Sequence, residues 1–352
     1  MSLLSETCAR IVRSDPAVAA LTQQRLDLKT KPRRSLGRLE DLACRVAAIR
    51  GTPAPPLPAK AIVVMGADHG VADEGVSAYP QDVTREMLLN FATGGAAINV
   101  LARHAGARLV VVDMGVRAPL PPLPDMRVHR IGPGTANMAL QPAMRREQAQ
   151  AAIEVGIEMA AELVDDGVTL LGIGEMGIAN TTAASALAAA LLGAAPEVVT
   201  GRGTGIDDTG WHRKVEVIRR ALEMHRPDPA DGLDVLSKLG GFEIAGLVGV
   251  VLGAAAARVP VVLDGFITGA AALVAVHLVP AAADALIASH QSVEVGHRVI
   301  LNALGVAPLF DFALRLGEGT GAALAMPMVD AALRVLHEMA TFADAGVSDS
   351  GA

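Results

Sequence analysis

AKAIVVMGADHG, residues 59–70, is a short apolar, β-branched run (61–65) that ends in glycine and polar residues. The apolar residues are continuous rather than alternating, the pattern of a strand covered on both faces. Similar runs recur at 109–112, 168–172, 198–200, 261–263 and 285–288, most of them followed by an Ala/Leu-rich stretch of helical length. Strands alternating with helices predict parallel βαβ units. The segments at the ends of the runs are as informative: GADHG (66–70), DMG (113–115), GEMGIANTT (174–182), GRGTG (201–205), DGFITG (264–269) and SHQS (289–292). In open α/β sheets ligands bind beyond the carboxyl ends of the strands. A turn accounts for any one of these polar ends, but a series of them predicts one shared crevice.

Upstream, residues 16–26 and 36–49 carry apolar positions at helical spacing and precede a Pro-rich linker, GTPAPPLP (51–58). A boundary there separates an N-terminal helical segment (1–58) from a large α/β domain (59–320), and a second division is expected before C-terminal helices (321–352).

Composition narrows the classes. Apolar residues make up 51% of the 352, enough for a large core, and aromatic residues only 2%. With a net charge of -7 and no long basic run, nothing offers nucleic acid a basic face. The two cysteines, Cys8 and Cys44, form neither a metal spacing nor a disulfide framework, in keeping with a reducing, cytoplasmic setting. Residues 1–15 are polar and mixed in charge, unlike a signal peptide. The longest apolar stretch, 245–257, is shorter than the ~20 residues of a membrane span. No membrane or nucleic-acid partner is expected.

Several residues are candidates for chemistry. Asn180-Thr181-Thr182 precedes a helical stretch at 183–192. Asn and Thr cap helices, and a helix N-terminus offers free N–H groups to an anion. Both a plain cap and a phosphate cradle fit, with Gly174 and Gly177 allowing close backbone approach. GRGTG is a second Gly-rich loop, but it is neither a P-loop nor G-x-G-x-x-G. Glu318 lies in GEGTG, ahead of a helical stretch at 322–335. A carboxylate on a Gly loop in apolar surroundings can serve as a base. It can equally complement a helix dipole, and the local sequence favours that second reading. Glu175, in GEMG, poses the same choice. Asp264, at a strand end, fits either a ribose-hydroxyl acceptor or an Asp turn. His69 reads as a turn residue or a pocket donor, and Arg33, Arg34 and Arg38 as a solvated face. Asp68-His69 and Ser289-His290 lack the companions of a metal site, and no Gly-x-Ser-x-Gly elbow is present. No metal or cofactor is expected. A dinucleotide-dependent oxidoreductase would need G-x-G-x-x-G after the first strand, where GADHG stands instead. A non-catalytic nucleotide-binding protein stays open on these residues alone.

Taken in order, TKPRRSLGRLE (30–40), GADHGVADEGVSAYPQDVT (66–84), GGAAINVLA (94–102), GIGEMGIANTTAASAL (172–187), TGRGTG (200–205), GGFEIAGLVG (240–249), LDGFITGAAAL (263–273), SHQSVEVGH (289–297) and LGEGTGAALA (316–325) resemble the nicotinate-nucleotide–dimethylbenzimidazole phosphoribosyltransferase family. The resemblance spans about residues 29–339. It implies a Rossmann-like, six-stranded parallel sheet flanked by helices, a smaller helical domain built from both chain ends, and a homodimer. It implies nicotinate mononucleotide and dimethylbenzimidazole as substrates. Glu318 matches the catalytic carboxylate and Glu175 its assistant. Gly177, Ile178, Asn180, Thr181, Gly203 and Thr204 match the mononucleotide site, with Lys214, Asp264, Ser292 and Gly321 around it. Tyr79, Met87 and Leu316 fall in segments that line the base pocket. In one place the chain departs from the family pattern Lys-Pro-x-Gly-Ser-Leu-Gly: Arg34 stands where the family has Gly.

Overall fold

The computed structural model describes residues 1–123 and 126–348. Its centre is a six-stranded sheet of β1 (Lys60–Ala67), β2 (Arg108–Gly115), β3 (Met126–Val128), β4 (Leu170–Met176), β5 (Val261–Leu263) and β6 (Leu286–Ala288). The strand order is β3-β2-β1-β4-β5-β6 and every pairing is parallel. The order reverses between β1 and β4, so the chain leaves these neighbouring strands in opposite directions and a crevice opens beyond their carboxyl ends.

Alternation within the continuous apolar runs fills both faces. Ala61, Val63 and Met65 of β1 join one core, and Ile62 and Val64 join the other. The first core lies under the helices Arg146–Asp165, Asn180–Leu192, Phe242–Ala256 and Phe266–Leu278, and the second under Ala97–Ala105 and Thr320–Glu338. The Ala-rich composition serves close approach: a Cβ added to Gly156 would collide with the Gly246 carbonyl of the facing helix.

Two strand assignments need correction. Residues 198–200 do not form a strand; Pro196–Val199 is a short helix. Pro196 at its first turn is pre-set for helical φ, which outweighs the β-branched run. The edge strand is instead Met126–Val128, three residues of which only Met126 is buried, too short and too polar to register as an apolar run.

The chain ends meet. Thr30 N–H donates to the Ala340 carbonyl at 3.0 Å, Phe342 N–H to Leu28 at 3.1 Å, and Lys29 Nζ to Met339 at 2.6 Å. Helices Pro16–Asp27 and Arg38–Arg50 pack on Thr320–Glu338, which also lies against the sheet. Arg34 has φ 62°, a left-handed conformation. This conformation suits glycine, which the resemblance implies at this position, because L residues are strained there. Arg38 is not simply solvated, since its Nη2 donates to Pro308 O at 2.5 Å. Among the described residues no helix is long and apolar enough to cross a membrane.

Candidate active site

β4 delivers Glu175 and Met176 to the crevice, and the chain then turns through Gly177 into the helix Asn180–Leu192. The turn is held by Ile178 N–H, which donates to Thr84 Oγ1 at 3.0 Å. Beneath it lies a buried pair, His69 Nε2 and Glu243 Oε1 at 2.6 Å. A Cβ on Gly177 would stand 3.1 Å from that Glu243 oxygen. His69 is thus a buried support of the turn, not an exposed turn residue.

The cleft above, about 690 Å³ of open space, is lined by Glu175, Gly177, Ile178, Asn180, Thr181, Gly203, Thr204, Ser292 and Leu316 from the sequence-derived set. Behind this wall Lys214 is buried and donates from Nζ to Thr181 Oγ1 at 2.7 Å. Burial pulls its pKa down to about 8, against the opposing charge of Glu294. Ser292 Oγ donates to Leu314 O and accepts from Glu294 N–H, both at 3.3 Å.

The GEGTG loop reaches the crevice from the far end of the chain. Gly317, Glu318 and Gly319 have φ 86°, 64° and 91° in succession. The loop rides on β4 so closely that a Cβ on Gly174 would stand 2.5 Å from the Glu318 carbonyl, and one on Gly317 would stand 2.5 Å from Glu175 Oε1. Gly174, Gly317 and Gly319 are therefore needed for contact between the two strings as well as for local turns. Glu318 is buried, and its Oε2 accepts from Ile98 N–H, in the first turn of helix Ala97–Ala105, at 3.4 Å.

Asp264 sits under this loop and outside the cleft lining. Its oxygens accept from Gly319 N–H at 2.9 Å and Gly321 N–H at 2.6 Å, so its acceptors serve the backbone, and Gly321 is likewise part of the floor. Tyr79 is exposed on the segment before helix Asp82–Thr93, and Met87 is half-buried against the second core. Of the four residues expected at the base, Tyr79, Met87, Leu316 and Glu318, only Leu316 lines the cleft. The sequence reading missed Met176, Phe266, Ile267, His290, Glu294 and Arg315 in the lining. Five of the six lie inside strings already quoted and Arg315 adjoins one, but only the folded chain shows which side faces inward.

The electrostatics follow from burial of like charges. Glu175 is raised to about 8 by desolvation, with Asn180 opposing and Asp264, Glu243 and Glu318 adding repulsion. Asp264 is raised to about 7, chiefly by burial, against the loop N–H groups. Burial also raises Glu318, with the Ile98 N–H opposing. A carboxylate raised by burial can accept a proton at a pH above the ordinary carboxylate range; of these three, Glu175 alone lines the cleft.

The family model described as Phosphoribosyltransferase matches residues 11–347. The chain belongs to that phosphoribosyltransferase family. A member from Roseiflexus sp. (strain RS-1), named nicotinate-nucleotide–dimethylbenzimidazole phosphoribosyltransferase, is 59% identical over 348 residues, 99% of each chain. A Geobacter sulfurreducens member of the same name is 53% identical over 349 residues, again 99% of both. The crystal structure of CobT from Thermus thermophilus matches with a TM-score of 0.92 at 50% identity, covering 95% of this chain and 100% of that one. As a member of the phosphoribosyltransferase family, the chain has its Gly-rich strings gathered at one switch point.

Proposed function

We propose that the chain transfers 5-phosphoribosyl from nicotinate mononucleotide to 5,6-dimethylbenzimidazole, giving α-ribazole 5′-phosphate and nicotinate, for the lower ligand of cobalamin. Near-full-length similarity to relatives of that name supports the activity. The observation that carries the residue assignment is Glu318, a carboxylate raised by burial on a loop whose preceding residues, Leu316 and Gly317, line the polar cleft, Gly317 lying against Glu175.

The chemistry follows from the substrates. The C1′–N bond to the pyridinium ring breaks, and its electron pair returns to that nitrogen, so the leaving ring needs no general acid. One nitrogen of the benzimidazole forms the new C1′ bond with its lone pair. The N–H of the other nitrogen then becomes acidic, and Glu318 takes that proton. Inversion at C1′ converts a β-nucleotide into an α-riboside, so base and leaving group occupy opposite faces of the sugar. No pyrophosphate leaves, and the reaction balances without a cofactor.

The neighbouring residues fit supporting roles. Glu175, beside the loop, stabilises positive charge growing on the ribose; a cation brought next to it favours its ionised form. The turn from Gly177 to Thr181, with Lys214 behind it and Gly203, Thr204 and Ser292 opposite, holds the phosphate. Asp264 and Gly321 act from below by fixing the loop that carries Glu318. Leu316, with Tyr79 and Met87 on the approach, contributes to the base side. Holding both substrates in line accounts for much of the rate, up to ~7–11 kcal/mol in ideal cases. We further read the helices at the two chain ends as a smaller domain, and the chain as a cytoplasmic homodimer.

The test is nicotinate release with and without dimethylbenzimidazole. Release that requires the base supports a transferase. Release without it makes the chain a glycohydrolase, and binding without release makes it a nucleotide-binding protein. Replacing dimethylbenzimidazole by purines or phenols separates this reading from transfer to another base.

A further inference from the structure

The cleft is lined by two carboxylates, Glu175 and Glu294, and the transfer chemistry leaves Glu294 without a role. Glu294 is only 8% exposed. Its Oε1 accepts from Gly203 N–H at 2.9 Å. Its Oε2 has no hydrogen-bond partner and lies so close to Gly201 that a Cβ there would collide with it. A buried carboxylate with an open oxygen is costly unless it serves something. The loop it touches, Gly201-Arg202-Gly203-Thr204-Gly205, has Gly203 at φ 53° and Gly205 at φ 108°. So glycine-rich a segment loses much entropy on ordering and depends on outside anchors.

The far side of the same loop is also tied down. Thr204 Oγ1 accepts from Ala78 N–H at 3.2 Å and lies 3.4 Å from Ser77 Oγ. Ser77 Oγ in turn accepts from Tyr79 N–H at 3.3 Å. Hydrogen bonds on the two sides of the loop, joined through the Gly203-Thr204 backbone, therefore link Glu294 to the segment 77–79.

We infer that Glu294 is a positioning residue for both substrates: it holds the 201–205 loop through Gly203, and that loop holds residues 77–79 through Thr204. The inference rests on the proposed transferase reading and goes beyond it by coupling the two substrate sites.

The experiment compares full-length wild type, Glu294→Ala, Glu294→Gln and Thr204→Val, measuring kcat, KM for each substrate, and binding of nicotinate mononucleotide alone by calorimetry. A hydrogen bond to a charged group is worth about tenfold or more. Glu294→Ala is therefore expected to raise both KM values about tenfold, with kcat changed by less than about threefold. Glu294→Gln still offers Gly203 an acceptor and recovers most of the base KM, while the nucleotide KM recovers only in part because Gln no longer supports the Lys214 charge. Thr204→Val raises KM for the base as well as for the nucleotide, the base effect arising from the lost contact with residues 77–79. Unchanged KM values in Glu294→Ala, or a loss confined to kcat, overturn the inference. So does Glu294→Gln as impaired as Glu294→Ala, or Thr204→Val that leaves the base KM unmoved. If Glu294→Ala does not fold, Glu294→Gln and Thr204→Val decide the matter in its place. A wild type that binds nicotinate mononucleotide without transferring it overturns the function instead; the Gly203 anchor is then judged by nucleotide binding in the Glu294 variants.

Discussion

The Asp264 carboxylate accepts the Gly319 N–H at 2.9 Å, fixing the backbone directly after Glu318. It accepts Gly321 N–H as well, at 2.6 Å. Between Gly317 and Gly319, Glu318 is held at φ 64°, a conformation that costs a non-glycine residue roughly 1–2 kcal/mol. Strain of this kind persists only where the surroundings over-determine it. Here a buried carboxylate at the start of the last long helix does so, and the acid that anchors the loop is distinct from the acid the loop presents.

Asp264→Ala should therefore damage both stability and rate. Each buried N–H left without an acceptor costs about 1–3 kcal/mol. Urea unfolding should show that loss, and kcat should fall because Glu318 is no longer fixed. Unaltered stability and turnover would remove Asp264 from this role.

Glu175 gives a pH-dependent signature. Its pKa rises from 4.5 unfolded to about 8 in the folded protein, so the folded state keeps a proton that the unfolded chain releases. The associated stability is present below the unfolded pKa and lost as pH climbs through the folded one. Glu175→Gln cannot ionise and escapes that loss. Its melting temperature relative to wild type should be higher at about pH 8.5 than at about pH 5. A difference that does not change with pH contradicts the assignment.

Lys214 behaves in the opposite sense. Its pKa is lowered from 10.5 to about 8, so in the free enzyme its charge disappears as pH rises past that value. If it holds the phosphate, kcat/KM for the nucleotide should decline along that alkaline limb. Lys214→Met should raise the nucleotide KM by about tenfold or more and abolish the limb. A wild-type profile flat across this range would count against a phosphate role.

Arg34 occupies a left-handed position, φ 62°. Its ion pair with Asp41, at 3.3 Å between exposed side chains, contributes little. Arg34→Gly should raise unfolding free energy by up to about 1 kcal/mol, the relief of backbone strain exceeding the entropy cost of glycine. Denaturant titration checks it, and a destabilised variant would show that the Arg34 side chain outweighs the strain.

Much of the fold was legible because its cause is local. β1 and β4 are continuous apolar runs closed by glycine, and the βα alternation gives a parallel sheet. Val198-Val199-Thr200 misled because β-branching was weighed without the helix-starting Pro196. Met126–Val128 escaped because an edge strand needs little apolar sequence. In the candidate site, strings announced themselves, but facing did not. Asp264 reads as a ribose acceptor or an Asp turn until the folded chain brings Gly319, 55 residues away, onto its oxygen. Glu294 carries no local signal, since its partner Gly203 is 91 residues distant. The glycines of GEMG read as sites of close backbone approach, but that Gly174 approaches the GEGTG loop belongs to tertiary structure alone.

Central to the mechanism is the removal, by Glu318, of the proton from the incoming base. The direct measurement is nicotinate release at saturating nucleotide and dimethylbenzimidazole for wild type and Glu318→Gln, with nucleotide binding followed separately. The mechanism predicts a loss of turnover on the order of 10²–10⁴ with nucleotide affinity retained, and a wild-type rate that falls on acidification at a pH above the ordinary glutamate range. Near-wild-type turnover in Glu318→Gln, or a wild-type rate flat from mild acid to neutrality, would contradict it.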